Sequence, residues 1–129
     1  MSIFKVSTVQ LDYTRIERDL LGAKEVPAAC YYGIHTLRAL ENFQISSQKV
    51  GTHHHFIRAL AQVKKASAQT NLKFSKISEQ VSQAIQFACN ELIEFPEQWS
   101  TAFPLDVYQG GAGTSINMNS NEVLANIAL

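Results

Sequence analysis

The chain has 129 residues, of which 46% are hydrophobic and 17% are charged, a composition typical of one globular domain and not of a disordered or fibrous chain. Eleven basic and eleven acidic residues give a formal net charge of zero, so we expect no nucleic-acid partner. Two cysteines are too few for a disulfide framework or a zinc site, and no apolar run approaches the roughly 20 residues of a membrane span, so we expect neither a metal nor a membrane partner.

The first third of the chain predicts a tail, a hairpin and a short helix. Residues 1–14 carry no turn or cap signal and are predicted to be a variable tail. The first twenty residues contain no uninterrupted apolar stretch of a secretory signal, which favours the cytoplasm. Residues 15–33 are predicted to be β-rich, because Gly22 and Pro27 divide them into extended pieces. Residues 34–43 carry apolar side chains at every third position, which predicts a short helix.

Two long helices are predicted in the middle of the chain, over residues 53–74 and 79–95. Ser78 is a suitable N-cap for the second helix, and Pro96 ends it. A third helix is predicted to begin near Asn121, which can cap it. The predicted apolar face of the helix over residues 53–74 consists of Phe56, Leu60, Val63, Ser67, Thr70 and Phe74. That of the helix over residues 79–95 consists of Val81, Ile85, Ala88, Leu92 and Phe95.

Charge is segregated between the two long helices. Six basic residues and no acid lie within residues 42–78, whereas six acids and no lysine or arginine lie within residues 79–129. The pattern predicts that a basic helix packs antiparallel on an acidic one. The alternative is a basic surface for anions or nucleic acid, which the zero net charge disfavours.

Residues 107–121, VYQGGAGTSINMNSN, contain no charge and are rich in glycine, hydroxyl and carboxamide groups. Glycine allows backbone N–H groups to approach a ligand, and the following helix presents the positive end of its dipole. The segment therefore predicts a neutral cradle of hydrogen-bond donors for a small carboxylate. The alternative is a surface turn rich in Gly and Asn. A phosphate-binding loop is excluded because no lysine follows the glycines, and the dinucleotide fingerprint is excluded because Ile116 stands at its third glycine.

The histidines and cysteines offer weaker signals. Residues 53–55 are three consecutive histidines, but adjacent side chains on a helix cannot converge on one metal ion. His35 together with Cys30 or Cys89 is a conceivable base and thiol pair, but the spacing does not support it, and inert cysteines are the favoured interpretation.

Two long segments carry a resemblance to a known family. Residues 15–47 read RIERDLLGAKEVPAACYYGIHTLRALENFQISS, and residues 103–129 read FPLDVYQGGAGTSINMNSNEVLANIAL. Together they resemble the aspartate ammonia-lyases of the aspartase/fumarase superfamily. Within the superfamily, YYGIHTLRALENF and YQGGAGTS are more similar to the aspartases than to the fumarases.

The resemblance implies a fold and an activity. The fold is mainly α, the N-terminal domain of the superfamily over residues 15–129, with a short β segment at its start and an antiparallel helix pair. The activity is the reversible elimination of ammonia from L-aspartate to give fumarate, without a cofactor, in a homotetramer. Thr114 is expected to contact the substrate carboxylate, with Gly113 shaping the loop and Asn117 as a supporting donor. Weaker candidates for substrate contact are Ser115, Arg38 and His35.

The sequence also departs from the family pattern. Ala29 replaces an aspartate of the usual V-P-A-D motif, which affects local hydrogen bonding. The flexible loop that carries the family's catalytic base is absent, so we expect no catalytic residue in this chain and no activity from it alone. Two alternatives to an aspartase fragment stay open. One is a fragment of a fumarase-like hydratase, and the other is a non-catalytic helical module that pairs with a full-length lyase subunit.

Overall fold

The computed structural model describes residues 13–129, so most of the predicted tail, residues 1–14, lies outside the described residues. Four α-helices and a two-stranded sheet account for most of the described chain, which confirms the mainly α fold class. Two short 3-10 helices, Val50–Thr52 and Pro96–Ala102, connect them. The strands are β1 (Thr14–Asp19) and β2 (Gly22–Pro27), and the helices are α1 (Ile34–Asn42), α2 (His54–Lys73), α3 (Glu79–Glu94) and α4 (Thr114–Ala128).

The predicted hairpin is present, and its inner face carries partly buried charged side chains beside the fully buried Val26. Strands β1 and β2 pair antiparallel, and Gly22 closes the turn with a φ of +116°, a conformation that favours glycine. Arg38 of α1 holds Asp19 through two hydrogen bonds of 2.7 and 2.8 Å. Ile16 points the other way and is exposed. The hairpin is therefore attached to α1 by ion pairs, Arg38 with Asp19 and Lys24 with Glu41, beside the one buried apolar side chain of Val26.

Helices α2 and α3 form the predicted antiparallel pair. The side chain of Arg58, near the start of α2, donates to the carbonyl of Ile93, near the end of α3. Further along, Lys65 Nζ donates to Asn90 Oδ1 at 2.8 Å. No ion pair joins the two helices within residues 13–129. The predicted orientation is right, but the basic side chains of α2 bind amide and carbonyl oxygens instead of the carboxylates of α3.

The prediction of the apolar face of α2 is wrong, because the buried face is offset by about one residue from the predicted one. Phe56, Val63 and Phe74 are 43%, 63% and 65% exposed, while Ile57, Ala61 and Ala68 are buried. Small alanines let the two helix backbones approach closely, so the packed stripe follows small side chains and leaves larger ones outside. On α3, Ala88 and Leu92 are buried as predicted, whereas Val81 and Phe95 at the two ends are exposed.

Asp106 holds the segment that precedes α2 against the segment that precedes α4. Its carboxylate is buried and accepts hydrogen bonds from the backbone N–H of Ile45 at 3.1 Å and of Tyr108 at 2.8 Å. It also accepts from both the backbone and the hydroxyl of Ser46. Nearby, Gly51 packs so tightly that an added Cβ would lie 2.0 Å from the carbonyl oxygen of Ser100. These contacts fix the loop that leads into the last helix.

The last helix begins earlier than predicted. Helix α4 starts at Thr114, with Gly113 as its N-cap, so Asn121 lies in the middle of the helix and caps nothing. Weak helix formers such as serine and asparagine are held in the helix by tertiary packing, because Asn119 and Ser120 are fully buried. The donor-rich segment is consequently a loop that ends at Gly113, followed by a helix.

We expect acid to weaken the fold through Asp106. Burial alone would raise the pKa of Asp106, but hydrogen bonds from Ser46, Tyr108 and Ile45 outweigh it and lower the pKa from 3.8 to about 2. A carboxyl whose folded pKa is depressed stabilises the fold above its unfolded pKa and loses that contribution as pH falls towards the folded value. Asp106→Asn should lower Tm at pH 7 and flatten the decline of Tm between pH 4 and pH 2, as measured by circular dichroism.

The matched control is Glu94→Gln, which removes a carboxylate from an exposed position at the end of α3. It should leave the pH dependence of Tm between pH 4 and pH 2 unchanged. If Asp106→Asn retains the full acid slope of the unsubstituted chain, Asp106 is not the group responsible.

Candidate carboxylate-binding site

The candidate site lies at the N-terminus of α4. Gly113 adopts a φ of +79°, and the first intrahelical bond runs from Asn117 N–H to the Gly113 carbonyl at 3.1 Å. Ile116 N–H is satisfied by Gln109 Oε1 at 3.0 Å. Among the described residues, no protein acceptor pairs with the N–H groups of Thr114 and Ser115. Two donors therefore remain at the positive end of the helix dipole, where anions bind.

The side chains predicted for the site surround these two donors. Thr114 is exposed, Ser115 is half-buried, and Asn117 lies one turn further along on the same face as Thr114. Lys64 of α2 donates from Nζ to Asn117 Oδ1 at 2.5 Å, which brings a positive charge to this face. The structure thus brings Gly113, Thr114, Ser115 and Asn117 together. The sequence did not indicate Lys64 as part of the site, because nothing in the charge pattern distinguishes it from the other basic residues of the same segment.

Arg38 and His35 lie elsewhere. Both guanidinium bonds of Arg38 to Asp19 lower the pKa of that carboxyl and raise the pKa of Arg38. His35 lies in the first turn of α1, and its backbone N–H donates to Glu122 at 2.8 Å. Among the described hydrogen bonds and ion pairs of these two residues, none reaches residues 107–117. Both residues take part in holding α1.

The loop that contains Ala29, where the family pattern has an aspartate, is held by hydrogen bonds from other residues. Arg15 donates to the carbonyls of Cys30 at 2.8 Å and Tyr32 at 2.6 Å, and Asn126 of α4 donates to the carbonyl of Tyr31 at 2.7 Å. Ala29 is exposed on this loop and lines two clefts of about 370 and 380 Å³. Thr114 lines neither cleft. The candidate site is an open surface at a helix end and is separate from these two clefts.

The structure also shows where the histidines and cysteines singled out in the sequence lie. Within residues 13–129, no three His, Cys, Asp or Glu side chains converge as metal ligands. His54 instead contacts Ser100 Oγ through Nε2 at 3.0 Å. Cys30 and Cys89 are free thiols, and burial raises the pKa of Cys89 to about 11, which disfavours the reactive thiolate form. Among the described helices, none has the length and apolar character to cross a membrane.

Comparison with known proteins decides the family. The sequence model of the lyase family matches residues 22–129. The chain belongs to this lyase family. It is 55% identical to aspartate ammonia-lyase of Escherichia coli (strain K12) over 115 residues, which cover 89% of this chain and 24% of the relative. It is 50% identical to aspartate ammonia-lyase of Corynebacterium glutamicum over 123 residues, which cover 95% of this chain and 23% of the relative.

Solved structures agree with the family assignment. A fumarate lyase:delta crystallin from Brucella melitensis superposes with a TM-score of 0.86 at 46% identity, over 90% of this chain and 26% of that chain. Class II fumarase from Schistosoma mansoni gives a TM-score of 0.81 at 38% identity, over 90% of this chain and 24% of that chain. The superfamily resemblance is therefore confirmed, and the chain spans about a quarter of the length of the curated relatives it matches.

The left-handed backbone at Gly113 generates a stability prediction. A Cβ added at Gly113 would meet nothing within 4 Å, so Gly113→Ala tests backbone strain alone. We expect a loss of about 1 kcal/mol in the free energy of unfolding, measured by urea denaturation. The control is Gly110→Ala, whose Cβ would make only an ordinary contact of 3.6 Å with Phe43. Equal effects of the two substitutions would contradict a special role for the conformation at Gly113.

Proposed function

We propose that this chain, as a single domain over residues 15–129, supplies the carboxylate-binding part of an aspartate ammonia-lyase. The reaction is the reversible elimination of ammonia from L-aspartate to give fumarate. The observation that carries the proposal is the pair of unpaired N–H groups of Thr114 and Ser115, with the exposed hydroxyl of Thr114 beside them. The identity to aspartate ammonia-lyases supports the choice of substrate.

The chemistry requires a site of this kind. When a base removes a proton from Cβ of L-aspartate, the adjacent carboxylate takes up the developing negative charge before ammonia leaves. Donors that are already oriented stabilise that charge without reorganising. Thr114 Oγ and the backbone N–H groups are the proposed donors, Gly113 gives the loop its shape, and Asn117 is a supporting donor. Ser115 is a further candidate, and its backbone N–H is better placed than its half-buried side chain.

The remaining parts of the reaction are assigned to polypeptide beyond these residues. The proposed base belongs to a segment that has no counterpart in this sequence, and no cofactor is proposed. A homo-oligomer, a tetramer in the intact enzyme, is the proposed assembly. Exposed apolar side chains on α2 and α3, such as Phe56, Val63 and Phe87, support an interaction with further lyase chain. The cytoplasm is the proposed location, which agrees with the two free thiols.

Two alternatives are less well supported. A fumarase-like hydratase would use the same carboxylate site, but the identity of 38% to class II fumarase is below the 50–55% shared with the two aspartate ammonia-lyases. A non-catalytic module that pairs with a full-length lyase would leave Thr114 without a ligand. Activity measurements on a hybrid enzyme separate these possibilities.

The first experiment is a hybrid in which this chain replaces the matching 115 residues of the Escherichia coli relative. We expect the hybrid to form fumarate from L-aspartate, followed by absorbance. Thr114→Val should lower kcat/KM by about 100-fold, because one donor to the developing charge is lost. Thr114→Ser should retain most activity.

Controls for the hybrid are available within the chain. Thr101→Val makes the same change at an exposed position in the 3-10 helix Pro96–Ala102 and should leave kcat/KM unchanged. Hydration of fumarate in place of ammonia release would favour the hydratase alternative. A folded hybrid in which Thr114→Val has wild-type activity would refute the proposed site.

The 129-residue chain alone should form no fumarate from L-aspartate, since it spans 24% of the Escherichia coli relative. The protein should be purified from a host that lacks its own aspartate ammonia-lyase and assayed at high concentration. Addition of the complementary portion of the relative serves as the positive control. Turnover by the chain alone would show that it carries a base we have not assigned.

A further inference from the structure

Gln109 connects the rigid Asp106 anchor to the start of α4. Its Nε2 donates to the backbone carbonyl of Asp106 at 3.1 Å, and its Oε1 accepts from the N–H of Ile116 at 3.0 Å. The side chain is half-buried, and residues 110–113 connect Gln109 to the start of α4. One carboxamide thus uses a donor and an acceptor to fix the distance between the Asp106 backbone and the third residue of the helix.

The position of this cap determines which donors remain. Ile116 N–H is satisfied by Gln109, and Asn117 N–H by Gly113. The N–H groups of Thr114 and Ser115 have no acceptor among the described residues. A serine or aspartate N-cap at position 113 would accept from the N–H of Ser115 or Ile116, the second or third residue of the helix, so it could close one of the two open donors. Gln109 reaches the helix from four residues before Gly113 and leaves both of them open.

The charge of the cap matters as much as its position. A carboxylate at a helix N-terminus stabilises the helix, but it also occupies the positive potential that attracts an anionic ligand. The first turn of α4 contains no acid, and the acid further along, Glu122, directs its carboxylate to backbone N–H groups of α1. The α4 N-terminus therefore has a neutral cap.

We propose that Gln109 is a positioning residue that selects for a carboxylate ligand, because it caps α4 without charge and leaves the Thr114 and Ser115 N–H groups free. The inference rests on the proposed function, since the ligand is the substrate carboxylate assigned there. Glutamate would keep the acceptor for Ile116 N–H and improve the interaction with the helix dipole, but it would lose the donor to the Asp106 carbonyl, as alanine also does. A purely structural cap would therefore be replaced better by glutamate than by alanine. A cap that must stay neutral so that an anion can bind beside it cannot be replaced by glutamate without weakening that binding.

The test compares Gln109→Glu with Gln109→Ala in the hybrid enzyme. We expect Gln109→Glu to raise KM for L-aspartate at least 10-fold at pH 8, with Tm within a few degrees of the unsubstituted hybrid. Gln109→Ala loses the cap without adding charge, so it should lower Tm and raise KM less than Gln109→Glu does. Gln80→Glu, which adds the same charge at an exposed position on α3, should leave KM unchanged. An unchanged KM in Gln109→Glu would overturn the proposal.

A second measurement tests the cap without any ligand. In the 129-residue chain, Gln109→Ala should accelerate hydrogen exchange of the Ile116 amide at least 10-fold, while Gln109→Glu should not. Unchanged exchange in Gln109→Ala would overturn the positioning role, whatever the activity. A folded hybrid that lacks all activity, or that is insensitive to Thr114→Val, would instead refute the proposed function and the selection for a carboxylate with it.

Discussion

The fold depends on the carboxylate of Glu122 in α4, which caps the N-terminus of α1 although the two are far apart in sequence. Glu122 of α4 accepts hydrogen bonds from the N–H groups of Gly33, His35 and Thr36 at 2.9, 2.8 and 3.2 Å, and from the Thr36 hydroxyl at 2.6 Å. A carboxylate that accepts several donors at a helix N-terminus is a strong interaction, because charge and dipole reinforce the hydrogen bonds. Gly33 makes it feasible, since an added Cβ would lie 2.8 Å from Glu122 Oε1.

This interaction explains why the two recognisable segments of the sequence belong together. Glu122 lies in the second segment, and the N–H groups it binds lie in the first, almost ninety residues earlier. The same end of α1 also receives Glu17, whose Oε2 accepts from Ile34 N–H at 2.8 Å. The start of α1 thus takes up two carboxylates, Glu17 and Glu122, and Glu122 anchors the middle of α4 to it.

Local patterns in the sequence were enough for part of the fold. The hairpin follows from Gly22 and the boundary of α3 from Ser78, whose hydroxyl accepts from Val81 N–H. The face of α2 and the start of α4 were mispredicted, because both depend on partners distant in sequence. Close approach of α3 favours the alanine side of α2. Helix α4 begins at Thr114 because Gln109 caps it there, and a side chain seven residues from its acceptor leaves no periodic signal.

The same distinction holds for the site. Glycine and amide composition predicted a donor-rich cradle, and the resemblance pointed to Thr114, but neither could separate donors that are free from donors already used. That separation depends on geometry, because Gln109 occupies one N–H group and Lys64 engages the Asn117 carboxamide. What remains on the open surface is two backbone N–H groups, the Thr114 hydroxyl and the amide N–H groups of Asn117, whose oxygen alone binds Lys64. Donors of this kind suit a carboxylate group. The exposure of Thr114 agrees with the proposed function, in which other polypeptide completes the site and the donors on this part are left uncovered.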